Sequence, residues 1–212
     1  MNRAALVTAG PTKEMIDPVR FISNESSGKQ GYAIAETLQS LGAKTTLVSG
    51  PTSLTRPNVD RIINVESADQ MLEACESSLP ADIAVCAAAV ADYKIANKEI
   101  AKIKKDGSRQ NMILEENPDI LERLSKRNHL RPKLVVGFAA ETSNLERNSD
   151  EKLNKKGCDW VLGNNVSENS IFNQDTNKIY FTSKLYSENW ELMTKKEVAK
   201  KLCQKISLHL NN

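Results

Sequence analysis

Five groups of residues in this chain have types and spacings that suit anion binding and acyl chemistry. The first lies in residues 10–28, GPTKEMIDPVRFISNESSG, a long polar stretch that ends where a helical pattern begins. Ser26, Ser27 and Gly28 at a helix start offer free backbone N–H groups to an anion. Arg20 and Asn24 lie four apart within it. A guanidinium can hold a carboxylate or phosphate through two bonds. A side-chain amide both donates and accepts, which suits a substrate amide or acyl group. The plainer alternative is that both residues pin the loop to itself and that the glycine marks a cap with a tight strand–helix contact. Glycine spacing does not decide between them. A phosphate-binding P-loop needs a glycine where Ser23 stands and Ser or Thr where Gln30 stands, and Gly28 with Gly31 supplies only part of the dinucleotide fingerprint.

The second group is AAAVADY at residues 87–93. Small side chains at a strand end let a flat ligand reach the backbone, and Asp92 suits a sugar hydroxyl or a base amino group; close packing alone would also use such alanines. The third is Lys102-Ile103-Lys104-Lys105, which would neutralise a polyphosphate beside a pocket or simply form a solvated edge. The fourth is Asn117-Pro118-Asp119-Ile120, a helix start with proline near the first turn and an acid placed against the dipole. The fifth is Lys152, Lys155 and Lys156, on or near one face of a helical stretch that follows Phe138.

The elements that must carry these groups alternate. Apolar runs at residues 3–9, 44–49, 61–65, 82–88, 133–139 and 158–162 predict strands, and the run at 82–88 is continuous enough for a central parallel strand. Residues 29–41, with Ile34, Leu38 and Leu41 at helical spacing, and 67–79, with Ser67 as cap, predict helices. A last helix from Thr194 has Val198, Leu202 and Ile206 on one face. Residues 90–116 predict a long loop with short strand pieces, and long loops in compact domains are often functional. Residues 173–191, with Ile179, Tyr180 and Phe181 and then Leu185 and Tyr186 flanking a turn, predict an antiparallel hairpin. The expected fold class is α/β: a Rossmann-like doubly wound sheet, mostly parallel, with an additional antiparallel hairpin.

Composition narrows the function classes. The 212 residues carry 29 Lys plus Arg against 27 Asp plus Glu, a net charge of +2, which argues against a polybasic nucleic-acid coat but leaves room for a local cationic pocket. No apolar run is long enough for a membrane span. The N-terminal apolar stretch is too short for a secretory leader. Cys75, Cys86, Cys158 and Cys203 form no close pair, and only His129 and His209 are present, so a zinc site has no ligand spacing to use. The expectation is a cytoplasmic protein with reduced, buried thiols and no nucleic-acid or membrane partner.

TAGPTKEMIDPVRFISNESSGKQGYAIAE, AAVADY, KIKK, NPDIL and VVGFAAET occur in one order over nearly the whole chain. Together they resemble phosphopantothenoylcysteine synthetase, the phosphopantothenate–cysteine ligase of coenzyme A biosynthesis. That resemblance implies an enzyme that joins 4′-phosphopantothenate to L-cysteine. Its bacterial branch implies CTP as the activating co-substrate with Mg²⁺, an acyl-cytidylate intermediate, and release of pyrophosphate and CMP. It also implies roles. Asn24 would bind the acyl intermediate, Arg20 would assist on the substrate side, and Lys102 would act on the nucleotide phosphates. Cys86, Ala87, Ala88 and Asp92 would hold cytosine and ribose. Pro118, Asp119, Ile120 and Leu121 would cradle the phosphates, and Phe138, Lys152 and Lys156 would complete the nucleotide site. The family typically dimerises, and the hairpin at 173–191 is a candidate contributor. Many bacteria fuse this domain behind a flavin-dependent phosphopantothenoylcysteine decarboxylase; a length of 212 fits one ligase domain, 1–212, with that decarboxylase expected on a separate chain. The metal ligands are not legible. Two relatives' habits are absent: Ile95 and Ala96 stand where a proline often follows ADY-Lys, and Glu116 stands beside the place of a common lysine.

Two other classes compete. A Rossmann-type oxidoreductase would want GxGxxG in the first loop and an acid after the second strand, where Leu47-Val48-Ser49-Gly50 stands. A non-catalytic nucleotide-binding module would not need Lys102 or Asn24.

Overall fold

The computed structural model describes residues 2–105, 107, 111–166 and 175–211. Strand β1 (Ala4–Ala9) is an interior strand of an eight-stranded sheet. The chain builds outward from it through helix α1 (Lys29–Ser40), β4 (Lys44–Ser49) and β5 (Arg61–Asn64). It then crosses by helix α2 (Ala68–Ser77) to the other side of β1 and adds β6 (Ile83–Cys86), β9 (Leu134–Glu141) and β10 (Trp160–Asn165). The six are parallel, in the order β5-β4-β1-β6-β9-β10, which is the classical doubly wound order with its switch point between β1 and β6. Strands β11 (Thr176–Ser183) and β12 (Ser187–Thr194) extend the β10 edge as the expected antiparallel hairpin. Its turn includes Leu185 and Tyr186, both exposed, rather than having them in a strand. The predicted start of that hairpin, residues 173–174, lies outside the described residues.

Alternation along each strand divides the core in two. Ala5, Val7 and Ala9 of β1 and Ile83 and Val85 of β6 face one layer, with Ile34 and Leu38 of α1 and Val198, Leu202 and Ile206 of α5 (Lys195–Asn211). Leu6 and Ala84 face the other, with Met71 and Cys75 of α2, Leu124 of α3 (Ile120–Ser125) and Leu153 of α4 (Leu145–Lys156). A strand buried on both faces must be apolar at every position, which is why the central runs carry no polar alternation. Ser67 caps α2 as its sequence predicts: its side chain accepts the N–H of Gln70, whose own side chain returns the bond. Leu41, expected on the apolar face of α1, is instead its exposed C-cap.

The polar stretch after β1 is an inserted hairpin, β2 (Lys13–Asp17) with β3 (Arg20–Ser23). It is laid across the carboxyl ends of the sheet by backbone bonds from Lys13 N to Glu66 O (2.7 Å) and from Thr12 N to Ala89 O (3.2 Å). Gly10 and Gly28, at either end of the insertion, both have φ of 75° and touch: a Cβ on Gly28 would stand 3.2 Å from the Gly10 Cα. A Cβ on Gly31 would stand 2.5 Å from the Ala9 Cβ, so α1 rests directly on β1. Strand-end turn, close backbone approach and helix–strand contact are the three glycine places of the dinucleotide fingerprint. Gly10, Gly28 and Gly31 fill them, with residues 11–27 inserted between the first two. The fragmentary GxxG in the sequence is that interruption.

The described residues of 90–116 form an arm beside the insertion. Short strands β7 (Tyr93–Ile95) and β8 (Leu114–Glu116) pair within it, as the expected strand pieces. No helix among the described residues is long and apolar enough to cross a membrane.

Candidate functional site

A cleft of about 1570 Å³ opens at the carboxyl ends of β1, β6 and β9, on the switch point where parallel α/β sheets bind ligands. Its floor is Thr8, Cys86 and Ala88; the Thr8 hydroxyl accepts the Ala88 N–H at 3.2 Å. One rim comes from the end of the insertion. The Asn24 amide nitrogen donates to Val90 O (3.0 Å) and Ala89 O (3.4 Å), and its carbonyl oxygen accepts no bond from a described residue. Asn24 thus faces the backbone of the small-residue segment, and Asp92 stands exposed beyond it.

The opposite wall is α3, the end of β9 and α4. Asp119 caps α3 by accepting the Glu122 N–H at 2.8 Å. Ile120 and Leu121 put their side chains into the core, so only their backbone edge serves the cleft. Half-buried Phe138 lies beside them, and Lys152 Nζ donates to Phe138 O at 2.7 Å. Lys156 Nζ lies 2.7 Å from Asp119 Oδ2 and 3.4 Å from Glu122 Oε2, with 18% of its side chain exposed. The bond to Asp119 raises the Lys156 pKa above its ordinary value, against the pull of partial burial. Lys126 and Lys156 in turn hold the Glu122 carboxyl below its ordinary value, against partial desolvation. Lys156 is already paired, so an anionic ligand must compete with Asp119 and Glu122 for it.

Eleven of the fourteen sequence candidates therefore line one cleft: Asn24, Cys86, Ala88, Asp92, Pro118, Asp119, Ile120, Leu121, Phe138, Lys152 and Lys156. Three do not. Ala87 alternates to the other face of β6 and packs against the α1 layer. Arg20 and Lys102 stand outside it, on the insertion and the arm. Arg20 binds the Asp17 carboxylate and the carbonyl of Ile103, which is the self-pinning role that any loop arginine can have. A second hollow of about 910 Å³ beside β5, lined by Tyr32, Thr52, Asn64 and Gln70 among others, holds none of the candidates.

Thr8 carries no signal in the sequence, and Asn117, legible there only as part of a helix start, takes a further part in the cleft. Asn117 donates to Ala91 O at 2.9 Å, receives no bond at its buried Oδ1 among the described residues, and so ties the alanine segment to α3. Its place directly before Pro118 and Asp119 was the available signal. The four cysteines are unpaired, and none is nucleophilic by environment. Burial pushes the thiols of Cys75 and Cys203 up to about 12 and that of Cys158 to about 11, and raises Cys86 well above the usual range although it lines the cleft.

Among the described residues no three His, Cys, Asp or Glu side chains gather into a metal cage. Magnesium in nucleotide sites keeps waters and phosphate oxygens and takes only one or two carboxylates. Two of the exposed acids that line this cleft, Asp92 and Glu116, are oxygen donors of the type such an ion accepts.

Residues 1–209 match the family model of the DNA/pantothenate metabolism flavoprotein C-terminal domain. The chain is 44% identical over 202 residues to the coenzyme A biosynthesis bifunctional protein CoaBC of Haemophilus influenzae, covering 94% of this chain and 50% of that one. It is 39% identical over 210 residues to the CoaBC protein of Bacillus subtilis, covering 97% and 51%. The chain thus spans about half the length of these curated relatives. The crystal structure of the C-terminal domain of a CoaBC protein superposes with a TM-score of 0.82 at 38% identity, over 99% of this chain and 96% of that one. A Cab2 mutant in complex with phosphopantothenate-cysteine shares the fold at 18% identity, with a TM-score of 0.73, over 100% of this chain and 89% of that one. By sequence along nearly its whole length, by strand order and by superposition, the chain belongs to the family of the DNA/pantothenate metabolism flavoprotein C-terminal domain.

Proposed function

We propose that this chain is a phosphopantothenate–cysteine ligase that uses CTP. The observation that carries the reading is the convergence of segments far apart in sequence on one switch-point cleft, in a chain 44% identical to a coenzyme A biosynthesis protein. A carboxylate oxygen of 4′-phosphopantothenate attacks the α-phosphorus of CTP. The bond to the bridging oxygen breaks, pyrophosphate leaves, and an acyl-cytidylate forms. The amine of L-cysteine then attacks the acyl carbon, its surplus proton passes to solvent, and CMP departs with the acyl oxygen.

Each residue has a task in that sequence. Cys86, Ala88 and Asp92 accept the flat base and the sugar against small side chains. Phe138 offers a ring beside them. Lys152 and Lys156 meet the phosphates once released from their present partners, and charge-assisted bonds of that kind are among the stronger ones. Asn24 holds the acyl intermediate, its free carbonyl oxygen accepting an N–H or O–H of the substrate, and Arg20 assists on the substrate side. Lys102 approaches the leaving phosphates and stabilises the charge that develops there. A magnesium ion, when bound with the nucleotide, neutralises phosphate charge. The protonated Cys86 thiol leaves the substrate amine without a rival nucleophile.

The test is to incubate the protein with 4′-phosphopantothenate, L-cysteine, Mg²⁺ and each nucleoside triphosphate in turn, and to measure 4′-phosphopantothenoylcysteine by mass spectrometry. Product with CTP is expected. Equal product with ATP would overturn the nucleotide assignment, and no product with any nucleotide would overturn the ligase reading.

A further inference from the structure

We propose that Asp17 is a positioning residue for Lys102, acting by its grip on the peptide unit of Ile103. The proposal rests on the ligase reading, which gives Lys102 its task. The Asp17 side chain is fully buried although it sits near the tip of an exposed hairpin. Its Oδ1 accepts the N–H groups of Val19 and Arg20, each at 2.9 Å, which closes the hairpin turn. Its Oδ2 accepts Arg20 Nε at 2.9 Å, Arg20 Nη2, and the Ile103 N–H at 3.2 Å. The same Arg20 Nη2 donates to Ile103 O at 2.8 Å.

Both polar groups of Ile103 are therefore held, the N–H by the acid and the carbonyl by the arginine that the acid orients. A second tether lies four residues earlier, where Glu99 N donates to Ile16 O at 3.0 Å. Lys102 sits between these two points. Its own side chain is exposed and makes no hydrogen bond or ion pair with a described residue, so its placement comes from its backbone. Turn closure alone would need only Oδ1; the Oδ2 half serves the arm. The role requires a carboxylate, because donors converge on both oxygens and an amide would turn an NH₂ toward one set of them.

The experiment uses the whole chain, with steady-state kinetics and amide hydrogen exchange on Asp17→Asn, Asp17→Glu, Ile103→Ala and Ile103→Pro. Asp17→Asn is expected to lower kcat at least about tenfold, since small misplacements of a catalytic group cost that much or more. KM for CTP and for 4′-phosphopantothenate should stay within about threefold of the parent, as expected when only transition-state contacts are lost. Exchange in residues 99–105 should quicken, and Asp17→Glu should restore part of kcat. Ile103→Ala keeps the peptide N–H and should stay within about twofold of the parent, whereas Ile103→Pro deletes it and should fall with Asp17→Asn. If Asp17→Asn does not fold, Ile103→Pro reads the same grip with Asp17 and Arg20 intact. A kcat near the parent's in either variant, with exchange of 99–105 quickened, overturns the proposal, and so does unchanged exchange in Asp17→Asn. A parent chain that ligates with no nucleotide overturns the ligase reading instead, while the exchange data still decide whether Asp17 holds the arm.

Discussion

Two lysine-bearing regions of this molecule are built in opposite ways. Lys152 and Lys156 grow from α4, which packs on the sheet, and their amines already meet Phe138 O, Asp119 and Glu122. Lys102 extends from an exposed segment outside the cleft, steadied, among the described residues, through its neighbour Ile103 and through Glu99. The first region is a wall whose two amines already have partners before any ligand arrives, Lys152 a backbone carbonyl and Lys156 two carboxylates. The second keeps an uncommitted amine on a short tether. Binding favours a fixed surface with exchangeable partners; charge that develops only in the transition state favours a cation not already engaged in the ground state. The difference teaches that net charge, here +2, says little about either region.

The largest expected effect breaks the comparison at the arm. Lys102→Gln should abolish ligation, a loss of at least about 10²–10³-fold in kcat, with circular dichroism unchanged. Asn24→Asp should do the same from the rim of the cleft. Near-parent turnover in either would remove that residue from the chemistry. Lys156→Gln tests the wall, where a smaller effect on binding is expected. KM for CTP should rise roughly tenfold, the scale of one charge-assisted hydrogen bond at about 1.5 kcal/mol, with kcat little changed.

Acid and alkali should separate the regions further. Burial pushes the Asp17 carboxyl up, but the Arg20 guanidinium and the N–H groups of Val19, Ile103 and Arg20 reverse this and hold its pKa at about 2, below the ordinary 3.8. A depressed carboxylate contributes fully above its unfolded pKa and loses that contribution as pH falls toward the folded one. Hydrogen exchange in 99–105 should therefore be insensitive to loss of this grip from pH 8 to 5, after correction for intrinsic rates, and should open only below about 4. Lys156, with its raised pKa, has the reverse sign: its contribution is complete below the ordinary lysine value of 10.5 and fades only as pH rises past the raised one.

The doubly wound sheet was legible because its central strands are apolar at every position and its helices carry spaced apolar faces, as Ile34 and Leu38 do in α1. The inserted hairpin was not. In β2 the buried positions are Glu14 and Asp17, each 1% exposed, so the hydrophobic pattern is inverted and reads as loop. Glu14 is buried because its carboxylate accepts the Ala68 N–H at the start of α2, a tertiary contact that residue spacing does not encode. The same inversion concealed Asp17. The cleft wall was legible as motif but not as geometry: NPDI announced a cap, whereas the pairing of Lys156 with Asp119 depends on how α4 crosses α3. The three fingerprint glycines were hidden for a simpler reason, since residues 11–27 separate the first from the second.

The central claim is that this cleft activates a carboxylate as an acyl-cytidylate. The direct measurement is single-turnover pyrophosphate release with CTP, Mg²⁺ and 4′-phosphopantothenate in the absence of cysteine. The account predicts a burst of about one equivalent of pyrophosphate per active site, together with an acyl-cytidylate detectable by mass spectrometry and consumed when cysteine is added. No pyrophosphate until cysteine is present, or release that does not depend on 4′-phosphopantothenate, would contradict it.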